Sequence, residues 1–432
     1  MKTCLIHGWA RPFRSVPERS LVRKGLSLGL MAALFCGAVA AQDVRLSSLL
    51  PLALSVHPTV LQARNQAKAA GFDIDAARWA RYPTLSTNVR TDSGYSQSLA
   101  SVQMPLWDGG RISTRIKLSE VNLQIAEASI RETELNAMTQ IATSFLESLR
   151  LDARLRSAKQ NVAEHEKLFN LIQRRVSSEI SPTADGTLAL ARLQQAISEQ
   201  IQIQRQLEAA QITLAQWAGP IGGPLVSPKE IMYRAAASDE ALISQVFETS
   251  GQLKRLKFQI QSAEAQIDLA QKQLYPTVVA GVQRIVSGPN LGALSRDHAY
   301  VELQFQPGAG LSYRSATFSA ESKKDAAVQE SQALELSLRA QVRSLAGEVA
   351  ALQAQFKPAQ NLLEGTTEVV DSYLRQYQIG RKNWLDVLNA LREKTQALYN
   401  LADVQFGLQQ SQIRLMLLSG EISGNKTSAI YE

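Results

Sequence analysis

One unit of the chain occurs twice, and this repeat limits the folds that are open to it. We predict a first copy over residues 42–217, a linker over 218–238, a second copy over 239–418 and a tail over 419–432. An internal repeat of this kind is the first feature that decides the architecture of a chain. The matching stretches are Gly71–Ala77 with Tyr82-Pro83-Thr84 and Ala265–Ala270 with Tyr275-Pro276-Thr277, and the matching single residues are Asp185 with Asp386 and Gly109 with Gly310.

A secretory signal peptide precedes the repeats. Residues 1–41 hold a basic segment, an apolar run from Leu26 and the small-residue cleavage pattern Ala38-Val39-Ala40. This order is typical of a signal peptide, and a retained signal anchor is the alternative. The whole chain has 46 basic and 39 acidic residues, net +7. Since six of the basic residues and one acid lie in the signal, the remainder is nearly neutral, which argues against a nucleic-acid partner.

Both cysteines, Cys4 and Cys36, fall within this signal. The mature chain therefore has no disulfide and no thiol chemistry. Cys36 is also a poor lipid-attachment site, because Phe35 stands where a small residue is needed.

The two copies share one predicted order of elements. A helix runs into Tyr-Pro, because proline ends a helix and biases the preceding residue toward extended geometry. A β-hairpin, a glycine-containing break, a long helix and a shorter helix follow. The predicted ranges are 55–81, 83–107, 112–175 and 184–217 in the first copy, and 239–274, 276–306, 313–377 and 384–418 in the second.

The predicted strands alternate apolar and polar residues. Val102 and Met104 alternate with Ser101 and Gln103, and residues 300–306 alternate in the same way. A period of two with one polar face is typical of a strand in a membrane β-barrel. Four strands cannot close a barrel, and open edges in lipid leave backbone groups unpaired. The hairpins of several chains therefore have to join.

The long helices are the second unusual feature. About 64 residues in one helix span roughly 95 Å, more than most globular domains can enclose. Apolar residues in the second long helix step by four and three, which predicts a coiled-coil seam. Pro358 falls inside this helix and is expected to kink it. The seam residues are Leu338, Val342, Leu345, Val349, Leu352 and Phe356.

Together these motifs resemble the TolC family of outer-membrane factors. The resemblance rests on the twofold repeat, on Pro105–Gly110 and on Tyr377-x-x-Gly380 followed by Leu385–Leu388. It implies a mainly α fold with β: a homotrimer whose twelve-stranded β-barrel continues into a twelve-helix α-barrel. It further implies an outer-membrane location in a Gram-negative bacterium with an extension into the periplasm. The implied partners are outer-membrane lipid, a periplasmic adaptor and an inner-membrane transporter, of the ABC type by preference and of the RND type as an alternative.

The resemblance also assigns candidate site residues. Asp386 matches an aspartate that forms an acidic pore constriction, whereas Asn389 stands where the family has a second acid. The alternative for Asp386 is a helix-start acid favoured by the helix dipole. Links that close the periplasmic gate match Asp185, Tyr377 and Lys382, with a solvated polar turn as the alternative. Gly380 occupies one tip turn, and Glu179 replaces the glycine expected in the other, so the two tips are expected to differ in shape.

Aromatic residues flank the strands where the chain passes into helices. We predict that they form a girdle at the bilayer surface, with ordinary packing at the junction as the alternative. The residues are Tyr82, Trp107, Tyr275 and Phe305.

No catalytic, metal or cofactor motif is present in the sequence. The histidines of the mature chain, His57, His165 and His298, fall in unrelated places of the repeat. We therefore predict a passive export duct that is not an enzyme.

For the cargo we favour type I secretion of adhesin-like proteins, since Gln306–Ser312 is similar to the adhesin-exporting branch and no lipid-attachment cysteine is found. Drug or small-molecule efflux is the alternative. From other classes, a secreted coiled-coil structural or adhesive protein and an inner-membrane-anchored adaptor are the rivals.

Overall fold

The computed structural model describes residues 43–92, 95–228, 231, 238–287, 296–306, 309–310 and 312–422. The predicted signal peptide and most of the predicted tail lie outside these residues, as do parts of the predicted linker. The first copy contains α1 (Leu46–Val56), α2 (Pro58–Trp79), β1 (Thr84–Asp92), β2 (Tyr95–Trp107), α3 (Arg111–Ser177) and α4 (Thr183–Ala218). The second contains α5 (Asp239–Thr249), α6 (Gly251–Lys272), β3 (Thr277–Ser287), β4 (Asp297–Gln304), α7 (Ser312–Gln378) and α8 (Trp384–Leu418).

Each copy begins with two helices where the sequence predicted one: the helix predicted at 55–81 is α2, with α1 before it as a helix that was not predicted, and the helix predicted at 239–274 is broken into α5 and α6. In the first copy His57 is extended and Pro58 begins α2, a position where the missing N–H of proline has no consequence. In the second copy Ser250 caps α6 by accepting a hydrogen bond from the Leu253 N–H at 3.3 Å. The breaks place α1 and α5 against the middle of the molecule as short separate helices.

Within the described ranges, no single helix is long and apolar enough to cross a membrane. Over the same residues, α1 and α2 taken together, bent by 46° at their break, pass that test of length and composition.

The four strands form one antiparallel sheet in the order β1-β2-β3-β4. On one face Val102 pairs with Leu85 and with Val282, and all three side chains are exposed. On the other face Ser101 pairs with Ser86 and Gln283. The predicted alternation of an apolar and a polar face is confirmed, and the β2–β3 pairing joins the two copies.

The long helices α3 and α7 each contain 67 residues and span about 100 Å. The seam predicted in α7 is buried at Leu338, Val342, Leu345 and Val349, the last three against α5 and α8, and is half-buried at Leu352 and Phe356. The helix continues through Pro358, and the kink expected there stays a prediction.

Of the four apolar cores found among the described residues, two bear on the candidate site. The larger core joins α1, the middle of α3 and the ends of α4 and α8. Part of the predicted linker pairs beside it, because the Val44 N–H donates to the Pro224 carbonyl at 3.0 Å and the Val226 N–H to the Val44 carbonyl at 3.1 Å. The second core lies where the α3–α4 and α7–α8 turns meet. We call these two turns tip 1 (residues 178–182) and tip 2 (residues 379–383).

Candidate functional site

The two tips have the same backbone geometry, so the expectation that they differ in shape was wrong. In tip 1 the Ile180 N–H donates to the Arg175 carbonyl at 2.8 Å, and in tip 2 the Arg381 N–H donates to the Gln376 carbonyl at 2.9 Å. Glu179 takes φ +59° and Gly380 takes φ +77° at the left-handed position between them. In each tip this hydrogen bond satisfies a carbonyl of the last helical turn. The bond offsets the free-energy cost of the left-handed conformation, which glutamate rarely adopts.

Tyr377 links tip 2 to the first copy within the same chain. Its side chain is 6% exposed in the tip core, and the Arg175 guanidinium lies 5.5 Å from its ring centroid. Burial raises the pKa of the Tyr377 hydroxyl; the positive charge of Arg175 opposes this rise and the carboxylate of Asp185 adds to it. Of the three predicted gate residues, Tyr377 lies buried in the tip core, and the gate role of Tyr377 and Asp185 stays a prediction. Arg175, which the sequence reasoning missed, lies beside Tyr377.

Lys382, the third predicted gate residue, pairs with Asp386 at the start of α8. Lys382 Nζ lies 3.5 Å from Asp386 Oδ2 and 4.2 Å from the centroid of the Tyr373 ring. Asn383 begins α8, with its Oδ1 accepting a hydrogen bond from the Leu385 N–H at 3.3 Å. Asp386 is thus in the first turn of a helix, as the dipole alternative requires, and its side chain is still 44% exposed. Asn389 follows one turn later and is exposed.

The predicted girdle residues gather where the sheet meets the helices. Trp107 and Tyr275 make an edge-on contact with ring centroids 6.3 Å apart. Tyr82 packs at 4.9 Å against Trp79, a residue that the sequence reasoning missed. Tyr82, Trp107, Tyr275 and Phe305 are all about half exposed. Half-exposed aromatic rings suit a bilayer surface, and their girdle role stays a prediction.

Asp108 organises the start of α3. Its Oδ1 accepts a hydrogen bond from the Gly110 N–H at 3.0 Å, and its Oδ2 accepts from the Ile112 N–H. A carboxylate is favoured there because the first helix N–H groups lack partners. The Trp-Asp-Gly-Gly sequence therefore encodes a cap between the hairpin and the long helix.

A polar cluster joins α6 to the same end of α3. Lys272 Nζ donates to Asp268 Oδ2 at 2.7 Å, and Thr114 Oγ1 donates to the same oxygen at 2.8 Å. The hydrogen bond from Lys272 is the main cause that lowers the pKa of Asp268. The sequence offered only a weak signal for this cluster, the i,i+4 spacing of Asp268 and Lys272.

Within the ranges that the structure describes, no group of three or more His, Cys, Asp or Glu side chains is arranged to hold a metal ion. His57 instead stacks on Trp217 with centroids 4.6 Å apart. His165 Nδ1 lies 3.0 Å from the Asn161 carbonyl oxygen.

Both copies match one known protein family. Residues 49–220 and 242–421 match the sequence profile of the family described as Outer membrane efflux protein. Since this covers most of the chain, the protein belongs to that family, and the resemblance to TolC-type channels is confirmed. It is an outer-membrane protein that extends into the periplasm, with the family and fold of channel proteins. The coiled-coil adhesive protein and the adaptor are set aside.

Individual relatives agree with this assignment. A part of the chain, 36% of its length, is 30% identical to the nickel-cobalt-cadmium resistance protein NccC of Alcaligenes xylosoxydans and covers 38% of that protein. A longer match, 76% of the chain, is 24% identical to the pyoverdine export outer membrane protein OpmQ of Pseudomonas aeruginosa and covers 69% of it. The outer membrane protein VceC of Vibrio cholerae has the same fold, with a TM-score of 0.70 and 18% identity over 87% of this chain and 96% of VceC.

Proposed function

We propose that the protein is the outer-membrane duct of a tripartite exporter, assembled as a homotrimer and passive in itself. The sheet is the observation that carries this proposal. It has one exposed apolar face, and β1 and β4 are its edge strands. Unpaired strand edges are unfavourable in lipid, so copies of the sheet have to join edge to edge, and three copies supply the twelve strands of the family's barrel.

The tips support docking to a periplasmic adaptor. Ile180 in tip 1 is 65% exposed and Ile379 in tip 2 is 66% exposed. Exposed apolar side chains at corresponding ends of two helical hairpins favour contact with another protein. Because the proposed duct is passive, an inner-membrane transporter of the ABC or RND type would supply the energy.

We further propose that Asp386 and Lys382 shape the pore constriction. Asp386→Ala combined with Lys382→Ala is expected to change single-channel conductance in planar bilayers. Loss of the carboxylate is expected to weaken block by multivalent cations by about tenfold, the equivalent of ~1.4 kcal/mol. Lys323→Ala with Glu330→Ala, which removes the same charges from the exposed face of α7, is the matched control. Unchanged conductance and unchanged cation block in the tip variant would count against the constriction.

Small solutes are the first candidate cargo. Relatives named for nickel, cobalt and cadmium resistance and for pyoverdine export support this class. Type I secretion of an adhesin-like protein is the second candidate, supported by the Gln306–Ser312 sequence.

Deletion of the gene separates the two cargo classes. We expect the deletion strain to lose tolerance to nickel, cobalt or cadmium, or to release less siderophore, while its secreted proteins stay unchanged. Complementation with the wild-type gene is the control. Loss of a large secreted protein, with metal tolerance and siderophore release intact, would instead identify a type I secretion channel.

A further inference from the structure

The ring of Tyr300 lies across the polar face of the sheet. Tyr300 on β4 pairs with Gly281 on β3, and Gly281 pairs in turn with Gln103 on β2. A Cβ added at Gly281 would lie 2.6 Å from Tyr300 Cζ, so the ring occupies the space above the glycine. Gln103 Nε2 donates a hydrogen bond to the Tyr300 hydroxyl oxygen at 2.6 Å. The Tyr300 side chain therefore crosses β3 and reaches β2.

Gly281 is the position on β3 that admits this ring. Side chains two residues apart on a strand share a face, so the neighbouring positions on the polar face are Val279 and Gln283. Both of these residues carry a Cβ. Placed over either of them in the same way, the Tyr300 ring would meet that Cβ at a distance too short for two carbon atoms. Glycine inside a strand commonly marks such a close approach.

The register of the second hairpin is not fixed by its connection. β1 and β2 pair up to Asp92 and Tyr95, and a connection of two residues sets the register of a hairpin. In contrast, β3 ends at Ser287 and β4 begins at Asp297, a connection too long to do so. The apolar/polar alternation excludes a slip by one residue, which would turn every side chain to the wrong face, but it permits a slip by two.

An exposed ion pair is the other contact that could select the register. Arg284 and Asp297 are directly opposite, with Arg284 Nε 3.3 Å from Asp297 Oδ1. Their side chains are 72% and 62% exposed, and an exposed ion pair contributes little to stability. The Tyr300 ring is half-buried on Gly281 and is also hydrogen-bonded, so it is the stronger determinant.

We propose that Tyr300 and Gly281 select the register of β4, and that Gln103 holds the ring in place. β4 is an edge strand of the sheet. In the proposed homotrimer, on which this consequence rests, its free side joins the sheet of a neighbouring subunit. A closed barrel requires a fixed stagger between its strands. A β4 displaced by two residues would change the stagger at each of the three joins, so Tyr300 is a positioning residue for assembly.

Disulfide cross-linking of the oxidised full-length mature protein in detergent measures the register. Both native cysteines lie in the predicted signal peptide, so introduced cysteines meet no competing thiol. Val282→Cys with Ala299→Cys joins directly opposite positions and reports the observed register. Two slipped pairs, Val282→Cys with Val301→Cys and Ala280→Cys with Ala299→Cys, join diagonal positions. Diagonal Cα atoms are about 7–8 Å apart, too far for a disulfide unless β4 slips by two residues. Mass spectrometry gives the cross-linked fraction.

In the wild-type background we expect cross-linking of the observed-register pair and not of the slipped pairs. Gly281→Ala displaces the Tyr300 ring and Tyr300→Ala removes it. Each is expected to raise cross-linking of a slipped pair by about threefold to tenfold, as for loss of a hydrogen-bonded contact. Tyr300→Phe keeps the ring on Gly281 and is expected to retain the observed register. Arg284→Gln, the matched control, removes the exposed ion pair and is expected to behave as the wild type does.

Three results would overturn the proposal. The first is a wild-type protein whose observed-register pair does not cross-link. The second is slipped cross-linking that neither Gly281→Ala nor Tyr300→Ala raises, so that each variant is a second reading if the other does not fold. The third is an equal rise in Arg284→Gln or in Tyr300→Phe, since a general loosening of the hairpin would have that effect.

Trimer formation is measured separately, as heat-modifiable bands of the wild-type protein in gel electrophoresis. The observed register without trimers would contradict the proposed function and leave the register assignment in place. Trimers in which β4 is slipped would contradict the register assignment and leave the proposed function in place.

Discussion

Replacing Phe145 with alanine is expected to lower the free energy of unfolding by about 3–5 kcal/mol. Phe145 is fully buried in the larger core, where α3 meets Leu50 of α1, Leu214 of α4 and Ile413 of α8. The substitution loses the transfer free energy of the ring and leaves a cavity that the surrounding helices fill only in part. A guanidinium titration of the purified protein in detergent, followed by circular dichroism, measures the change.

Phe72→Ala is the matched control for that substitution. Its ring is 74% exposed on α2, so its removal is expected to change the free energy of unfolding by no more than about 0.5 kcal/mol. If both variants unfolded at the same denaturant concentration, the core around Phe145 would not have the role assigned to it.

Gly109→Ala is expected to destabilise the junction between hairpin and long helix by roughly 2–5 kcal/mol. Gly109 adopts φ +64°, which an L-residue with a Cβ rarely takes. An added Cβ would also lie 2.9 Å from Tyr275 Cγ, so the Tyr275 side chain and its edge-on contact with Trp107 would have to move. The same titration measures the loss, and tryptophan fluorescence reports the displacement near Trp107.

Gly110→Ala separates the two causes of destabilisation, backbone strain and the close approach of the added Cβ to Tyr275. Gly110 has φ +82°, yet an added Cβ would meet only the flexible Lys272 side chain, at 3.6 Å. Backbone strain alone is then expected to cost about 1–2 kcal/mol. Equal losses in the two variants would show that the close approach of Gly109 to Tyr275 contributes nothing.

Local patterns predicted the strands well and the helix ends less well. The apolar/polar alternation around Val102 and Ser101 appears in the sheet, because side-chain direction alternates strictly along a strand. The separate helix α1 before His57 and the break at Ser250 were missed, since both depend on caps within otherwise helical sequence. The prediction that Glu179 gives its tip a different shape was wrong, because two backbone hydrogen bonds hold this residue in a conformation that glutamate disfavours.

The residues of the candidate site were also predicted in part: some were found through local motifs and one was missed. Asp386, Lys382 and Tyr377 were reached through motifs that lie within a few residues of one another. Arg175 belongs to no local motif, because its contact with Tyr377 joins residues about two hundred positions apart in the sequence.

By itself, the sequence determined the duplication, the order of elements, the two-faced strands and the long helices. These follow from periodicity and from helix-breaking residues, which act over a few neighbours. Only the tertiary structure decided which side chains meet across helices: Arg175 with Tyr377 between the two tips, and Lys272 of α6 with Thr114 of α3. The physical reason is that the rotation of one long helix against another sets these contacts, and that rotation depends on packing along the whole of both helices.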